Sequence, residues 1–211
     1  MALVSTTAFI LKLDPLSEKD LVAALLTKDH GVVRAAVRGA RGRSKRAAAL
    51  QLLTEVSLTY FRREGADLAR VEALEIVASA FGLASRPETA MLLPYVAESA
   101  LTFVPESELG GDVFRLVRHV LDALEAGVPA PLAARYFEVW LLRFAGVLPE
   151  EDAPEGSRTL IRAMRKLTLV ELSRKPPAAA ALAGLESLTR DARRTFLGHE
   201  LKSYRFLGAL G

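Results

Sequence analysis

Cysteine is absent from all 211 residues. That absence excludes disulfides, a cysteine-ligated zinc site and a thiol nucleophile, and it fits a reducing cytoplasm. Histidine is nearly as scarce: His30, His119 and His199 stand at no spacing that pairs them, and each reads as an ordinary surface or edge side chain. No apolar run reaches the roughly 18 residues of a membrane helix. The opening "MALVSTTAFILKLDP" also lacks the basic start of a secretory signal, so a soluble, unexported chain is expected. There is no GxxxxGK[ST] loop, no GxSxG and no HExxH. "PEEDAPE" gathers Glu150, Glu151, Asp152 and Glu155, but without the spacing of metal ligands it reads as a solvated connection. The expectation is a protein that works by binding, with no enzymatic activity, no cofactor and no metal.

What the chain does have is apolar content and unevenly placed charge. At 51% hydrophobic it can bury one sizeable core or two small ones. The formal net charge is +3. Residues 1–80 hold 12 Lys/Arg against 9 Asp/Glu, residues 81–157 hold 5 against 12, and residues 158–211 hold 11 against 4. A basic, acidic, basic order suggests one surface that faces a polyanion and another that avoids it.

Periodicity separates two parts. Up to about residue 78 the apolar runs are short and bounded by turn residues, as strands are. "TTAFILKLD", "LVAALLTK", "VVRAAVR", "TEVSLTYFRR" and "LARVEALEIV" make five candidate strands, although the second and fifth also pass locally for helix. In the fourth, Val56, Leu58 and Tyr60 face one way and Glu55, Ser57, Thr59, Phe61 and Arg63 the other. "KDHG" reads as a hairpin turn with Gly31 at positive φ. From Arg86 onward the period is helical. Asp112 is expected to cap a helix whose Val113, Val117, Val120, Leu121 and Leu124 share a face, with Gly127 ending it. Pro131 should open the next helix, with Phe137, Trp140, Leu141 and Phe144 inward and Gly146 closing it. Pro94 should kink or interrupt "ETAMLLPYVAESALTFV". "LPEEDAPEGS" and "SRKPPAAAALAG" read as breaks, followed by basic helices around 158–173 and 189–206. The fold class expected is α+β: a five-stranded OB-fold barrel over residues 1–78, then an all-helical domain over 79–211.

The order of these pieces carries a resemblance. "LSEKDLVAALLTKDHGVVRAAVRGARGRSKR" resembles the amino-terminal OB domain of the RecO family of recombination mediators, and "LGHELKSYRFL" is similar to that family's closing helix. One departure stands out: many members carry four zinc-binding cysteines after the third large helix, where this chain has only "PEEDAPEGS". The resemblance implies a cytoplasmic, nucleoid-associated protein that binds single- and double-stranded DNA. It further implies that such a protein remodels single-strand binding protein with RecR so that RecA loads, and anneals complementary strands.

The site residues follow from both sources. The stretch "RGARGRSKR" supplies Arg38, Arg41, Arg43, Lys45 and Arg46, and the neighbouring strands add Arg34, Arg62, Arg63 and the ring of Phe61. Arginines reach phosphates with little geometric demand, and an exposed ring stacks on any base. The plainer reading is a solvated loop and a core aromatic. Towards the carboxy terminus, Arg158, Arg162, Arg165, Lys166, Arg190, Arg193, Arg194, Lys202 and Arg205 recur at helical spacing. They read either as a solvated face, as a second DNA contact, or as the basic rim of a pocket. The resemblance implies the occupant of such a pocket, the acidic, Phe-ended tail of single-strand binding protein. Two other function classes stay open: an OB adaptor that binds an acidic protein without touching DNA, and a nucleic-acid enzyme with an unrecognised site.

Overall fold

The computed structural model describes residues 2–41, 50–63, 65, 67–104 and 110–207. Each of the five apolar runs is a strand: β1 (Ala2–Pro15), β2 (Leu21–Thr27), β3 (Val32–Val37), β4 (Glu55–Arg62) and β5 (Ala69–Ala78). They close into a barrel in the order β1-β2-β3-β5-β4, antiparallel except where β3 meets β5. That is the strand order of the OB-fold. Inward-pointing Ala8, Ile10, Leu25, Val33, Val56, Leu58, Tyr60 and Val71 fill it. The hairpin at residues 28–31 forms as its turn residues dictate. Gly31 takes φ 64°, its carbonyl accepts from the Thr27 backbone N–H at 2.8 Å, and the Thr27 hydroxyl accepts from His30 N–H at 2.9 Å.

Helices α1 (Phe81–Ala84), α2 (Pro87–Ala90), α3 (Leu92–Phe103), α4 (Gly110–Glu125) and α5 (Ala130–Phe144) follow. Pro94 has no N–H to offer the carbonyl of Ala90, and the helical run breaks at Met91 between α2 and α3. Asp112 is not a cap: α4 begins at Gly110, so Asp112 lies within the first turn and pairs with Arg115. The face of α4 read from Val113, Val117, Val120, Leu121 and Leu124 is buried throughout, and Gly127 ends the helix at φ 86°. A short 3₁₀ turn (Glu150–Asp152) leads to α6 (Glu155–Met164), α7 (Leu169–Arg174), α8 (Ala179–Leu197) and α9 (Tyr204–Leu207).

Three boundaries differ from the sequence reading. The expected helix over 158–173 is two helices, because Thr168 caps α7: its hydroxyl accepts from Glu171 N–H at 3.3 Å while the Glu171 carboxylate accepts from Thr168 N–H at 2.7 Å. The alanine run after Pro177 is helix rather than break, as alanine's propensity favours. "LGHELKSYRFL" is not one helix: Gly198 at φ 74° stops α8 at Leu197, and helix returns only at Tyr204–Leu207.

The chain forms two compact units, one of residues 1–86 with 97–115 and one of residues 87–96 with 116–211. Within the second, α5 is buried on nearly every side and packs on α8.

Candidate nucleic-acid interface

The barrel has two outer faces with different fates. Phe9, Leu26 and Val32 alternate away from the barrel core and are nonetheless buried. The reason lies in the same unit: the Phe114 ring packs 4.8 Å from that of Phe9, and Gly110 at the start of α4 meets Gly31 so closely that a Cβ there would sit 2.5 Å from the Gly31 Cα. The other outer face stays open. Strand register joins Ala36 of β3 to Arg70 of β5, Arg70 to Phe61 of β4, and Phe61 to Leu3 of β1 in one row. Leu3 is 61% exposed, Arg70 is exposed and Phe61 is half-buried.

Arg34 stands two residues before Ala36 on the same side of β3, and Arg38 two residues after it in the turn; both are exposed. Neither has a partner among the described residues. The open face therefore offers a ring, an aliphatic shelf and unpaired guanidiniums side by side, which suits backbone contact with base stacking. Arg70 was missed by sequence reading because its strand carries Glu72 and Glu75 and reads as mixed charge. Its Nε donates to Glu72 at 2.8 Å, so it arrives partly neutralised. Arg41 is exposed and fixed by its own contacts, its Nη1 on the Ser17 carbonyl at 2.8 Å and its N–H on the Lys19 carbonyl at 3.1 Å. Arg63 is exposed and Arg62 half-buried at the end of β4. Arg43, Lys45 and Arg46 lie outside the described residues.

The carboxy-terminal basic residues do not share one face. Arg193, expected on an exposed basic face, is instead 2% exposed, and its guanidinium lies against Glu138 at 3.3 Å, Glu200 at 2.8 Å and the Tyr95 hydroxyl at 2.6 Å. A cation so enclosed meets neither DNA nor a peptide. Arg158 turns back to hold the acidic connection, donating to the carbonyls of Glu151 at 2.8 Å and Ala153 at 3.0 Å. Arg165 pairs with Glu150, and Arg190 with Glu200 at 3.3 Å while lying over the Tyr204 ring. Arg162, Lys166, Arg194, Lys202 and Arg205 are exposed.

The network around Arg193 also went unread. Glu138, 3% exposed, accepts from Tyr95 at 2.6 Å and Thr189 at 2.7 Å and balances Arg135, whose Nε stands 3.0 Å away. Burial raises the Tyr95 hydroxyl well above its ordinary pKa, and the Glu138 carboxylate adds to that. Among the basic residues, Arg135 lines one groove of the helical unit and Lys175 another, and the sequence reading names neither.

His119 is more than a bystander, since its Nε2 accepts from Leu169 N–H at 3.4 Å at the start of α7. Among the described residues no helix is long and apolar enough to cross a membrane, and no group of three or more His, Cys, Asp or Glu is placed to hold a metal.

An OB-type barrel with a basic, aromatic outer face, followed in the same chain by a helical unit, defines a two-unit protein with an OB-type domain. The family model "Recombination protein O N terminal" matches residues 1–80, and "Recombination protein O C terminal" matches residues 84–154. The chain belongs to the Recombination protein O family. It is 35% identical over 151 residues to the DNA repair protein RecO of Anaeromyxobacter sp. (strain K), a stretch that is 71% of this chain and 59% of that protein. It is 33% identical over 150 residues to the DNA repair protein RecO of Koribacter versatilis (strain Ellin345), 70% of this chain and 61% of that one. The chain thus spans about three fifths of the length of the relatives it matches. The match of the carboxy-terminal model ends at residue 154, before the basic helices.

Proposed function

We propose that this protein is a non-enzymatic recombination mediator of the cytoplasm, associated with the nucleoid. It holds single-stranded DNA without reading sequence and binds duplex DNA as well. With RecR it remodels single-strand binding protein so that RecA loads, and by neutralising two strands together it anneals complements. The acidic tail of single-strand binding protein docks on the helical unit. Membership of the family supports this reading, and the observation that carries it is the open face of the barrel, where Arg70 is paired with Phe61 and Arg34 and Arg38 stand one strand further on.

Salt-dependent binding of a labelled oligonucleotide tests it. Changing Arg34 and Arg38 together to Ala removes two phosphate contacts and should flatten the slope of log K on log salt by about 1.4 for a single strand. Phe61→Ala should leave the slope alone and cost about 1–3 kcal/mol, the worth of one stacked base. Arg34 and Arg38 are exposed, so that double change should leave melting where it is; Phe61 is half-buried, and its variant is compared at a temperature where melting shows it folded. An adaptor that never binds DNA would show no binding of the parent protein even at low salt, and that result would overturn the proposal.

A further inference from the structure

Within the helical unit a groove of about 530 Å³ runs between the segment after α5 and the outer face of α8. Val147 and Pro149 form one wall, and Leu188, Ala192 and Phe196 form the other. Those three recur every fourth residue, so they make one apolar stripe along α8. Phe196 is 50% exposed, while Leu188 and Ala192 on the same stripe are half-buried. Two carboxylates stand in the lining, Asp152 on the first wall and Asp191 on the second, and neither has a partner among the described residues. Among the described residues no basic side chain lines the groove.

The sign of that lining selects the occupant. A nucleic acid or an acidic peptide would bring its charge against two unpaired carboxylates, so the surface suited to DNA and this one are chemically opposed. An apolar stripe with helical spacing accepts the ridge of another amphipathic helix, and carboxylates on both sides of it favour a ridge flanked by Lys or Arg. The volume lies within the range of clefts that enclose several side chains. We propose that this groove docks a cationic amphipathic helix of a partner protein, with one or two apolar anchors against Phe196 and basic residues on Asp152 and Asp191.

The probe is a dye-labelled peptide of Lys and Leu at helical spacing, followed by fluorescence anisotropy against the whole chain, beside a Glu/Leu peptide of the same pattern. The Lys/Leu peptide should bind at least about tenfold more tightly, and Asp152→Asn with Asp191→Asn should weaken it by about tenfold. Phe196→Ala should weaken it as well, which general attraction between charges would not produce. Because all three side chains are at the surface, melting and oligonucleotide binding should be unchanged, so this result is independent of the DNA-binding reading. As a control, Glu88→Gln with Glu125→Gln, exposed acids away from the groove, should leave peptide binding as it was. Equal loss in the control, no loss in Phe196→Ala, or equal affinity for the two peptides would overturn the proposal.

Discussion

Glu138 is the residue on which the helical unit's buried charge turns. Two guanidiniums, those of Arg135 and Arg193, lie beside it, and all three are nearly inaccessible. Removing one partner of a buried ion pair typically costs about 3–5 kcal/mol, because the charge left behind has lost both water and counterion. Glu138→Ala should therefore lose that much in urea unfolding. A triple replacement of Arg135, Glu138 and Arg193 by apolar residues of similar volume should lose far less than the single change. A loss below about 1 kcal/mol in Glu138→Ala would mean that Glu186 and Glu200 suffice as counterions. None of this was legible beforehand. Arg193 stands among Arg190 and Arg194 in a run that reads as a solvated face, and only the tertiary position of Tyr95, 98 residues away, turns one member of that run inward. Phe61, by contrast, was legible, since strand alternation alone puts it opposite Val56, Leu58 and Tyr60.

At the scale of elements, the local signals of Pro94 and Gly31 read correctly, while those at Asp112, Thr168 and Gly198 place boundaries that differ from the sequence reading. Pro94 and Gly31 act through missing donors and positive φ, and both behaved as read. The runs "LVAALLTK" and "LARVEALEIV" suited helix as well as strand, and barrel closure settled them: β2 is buried on both faces, which is why it reads as a continuous apolar run rather than an alternating one. The start of α4 gives a sharper test. A methyl group at Gly110 would meet the Gly31 backbone at 2.5 Å, where no flexible side chain can yield. Gly110→Ala should cost about 1–3 kcal/mol as overpacking. Gly82→Ala, in the open with nothing within 4 Å, should be neutral or gain up to about 1 kcal/mol from helix propensity. Thermal melting of the two variants checks the pair, and equal melting would mean that α4 shifts freely off the hairpin.

For the whole molecule, the basic, acidic, basic order of charge did not become three clean surfaces. Part of the last block is spent on the chain's own carboxylates, through Arg165 with Glu150 and Arg190 and Arg193 with Glu200. Pairing depends on distances between segments far apart in sequence, which is why counting charges along the chain overstated the free basic surface. A property of the whole fold that follows from burial is its response to alkali. All four tyrosines, Tyr60, Tyr95, Tyr136 and Tyr204, have hydroxyls raised above the ordinary value of 10.0, in each case first by burial. Between about pH 10 and the higher folded values the unfolded chain has released protons that the folded chain keeps, so unfolding is favoured as pH rises. The contribution is therefore complete below about pH 10 and is lost as pH climbs through the folded-state values. Urea midpoints should hold steady from about pH 8 to pH 9 and fall steeply from about pH 10 to pH 11, with tyrosinate absorbance appearing together with unfolding rather than before it. Tyr95→Phe should start lower, having lost its bonds to Glu138 and Arg193, yet decline less steeply across the same interval. A decline just as steep in that variant would show that Tyr95 is not the group whose ionisation drives the loss.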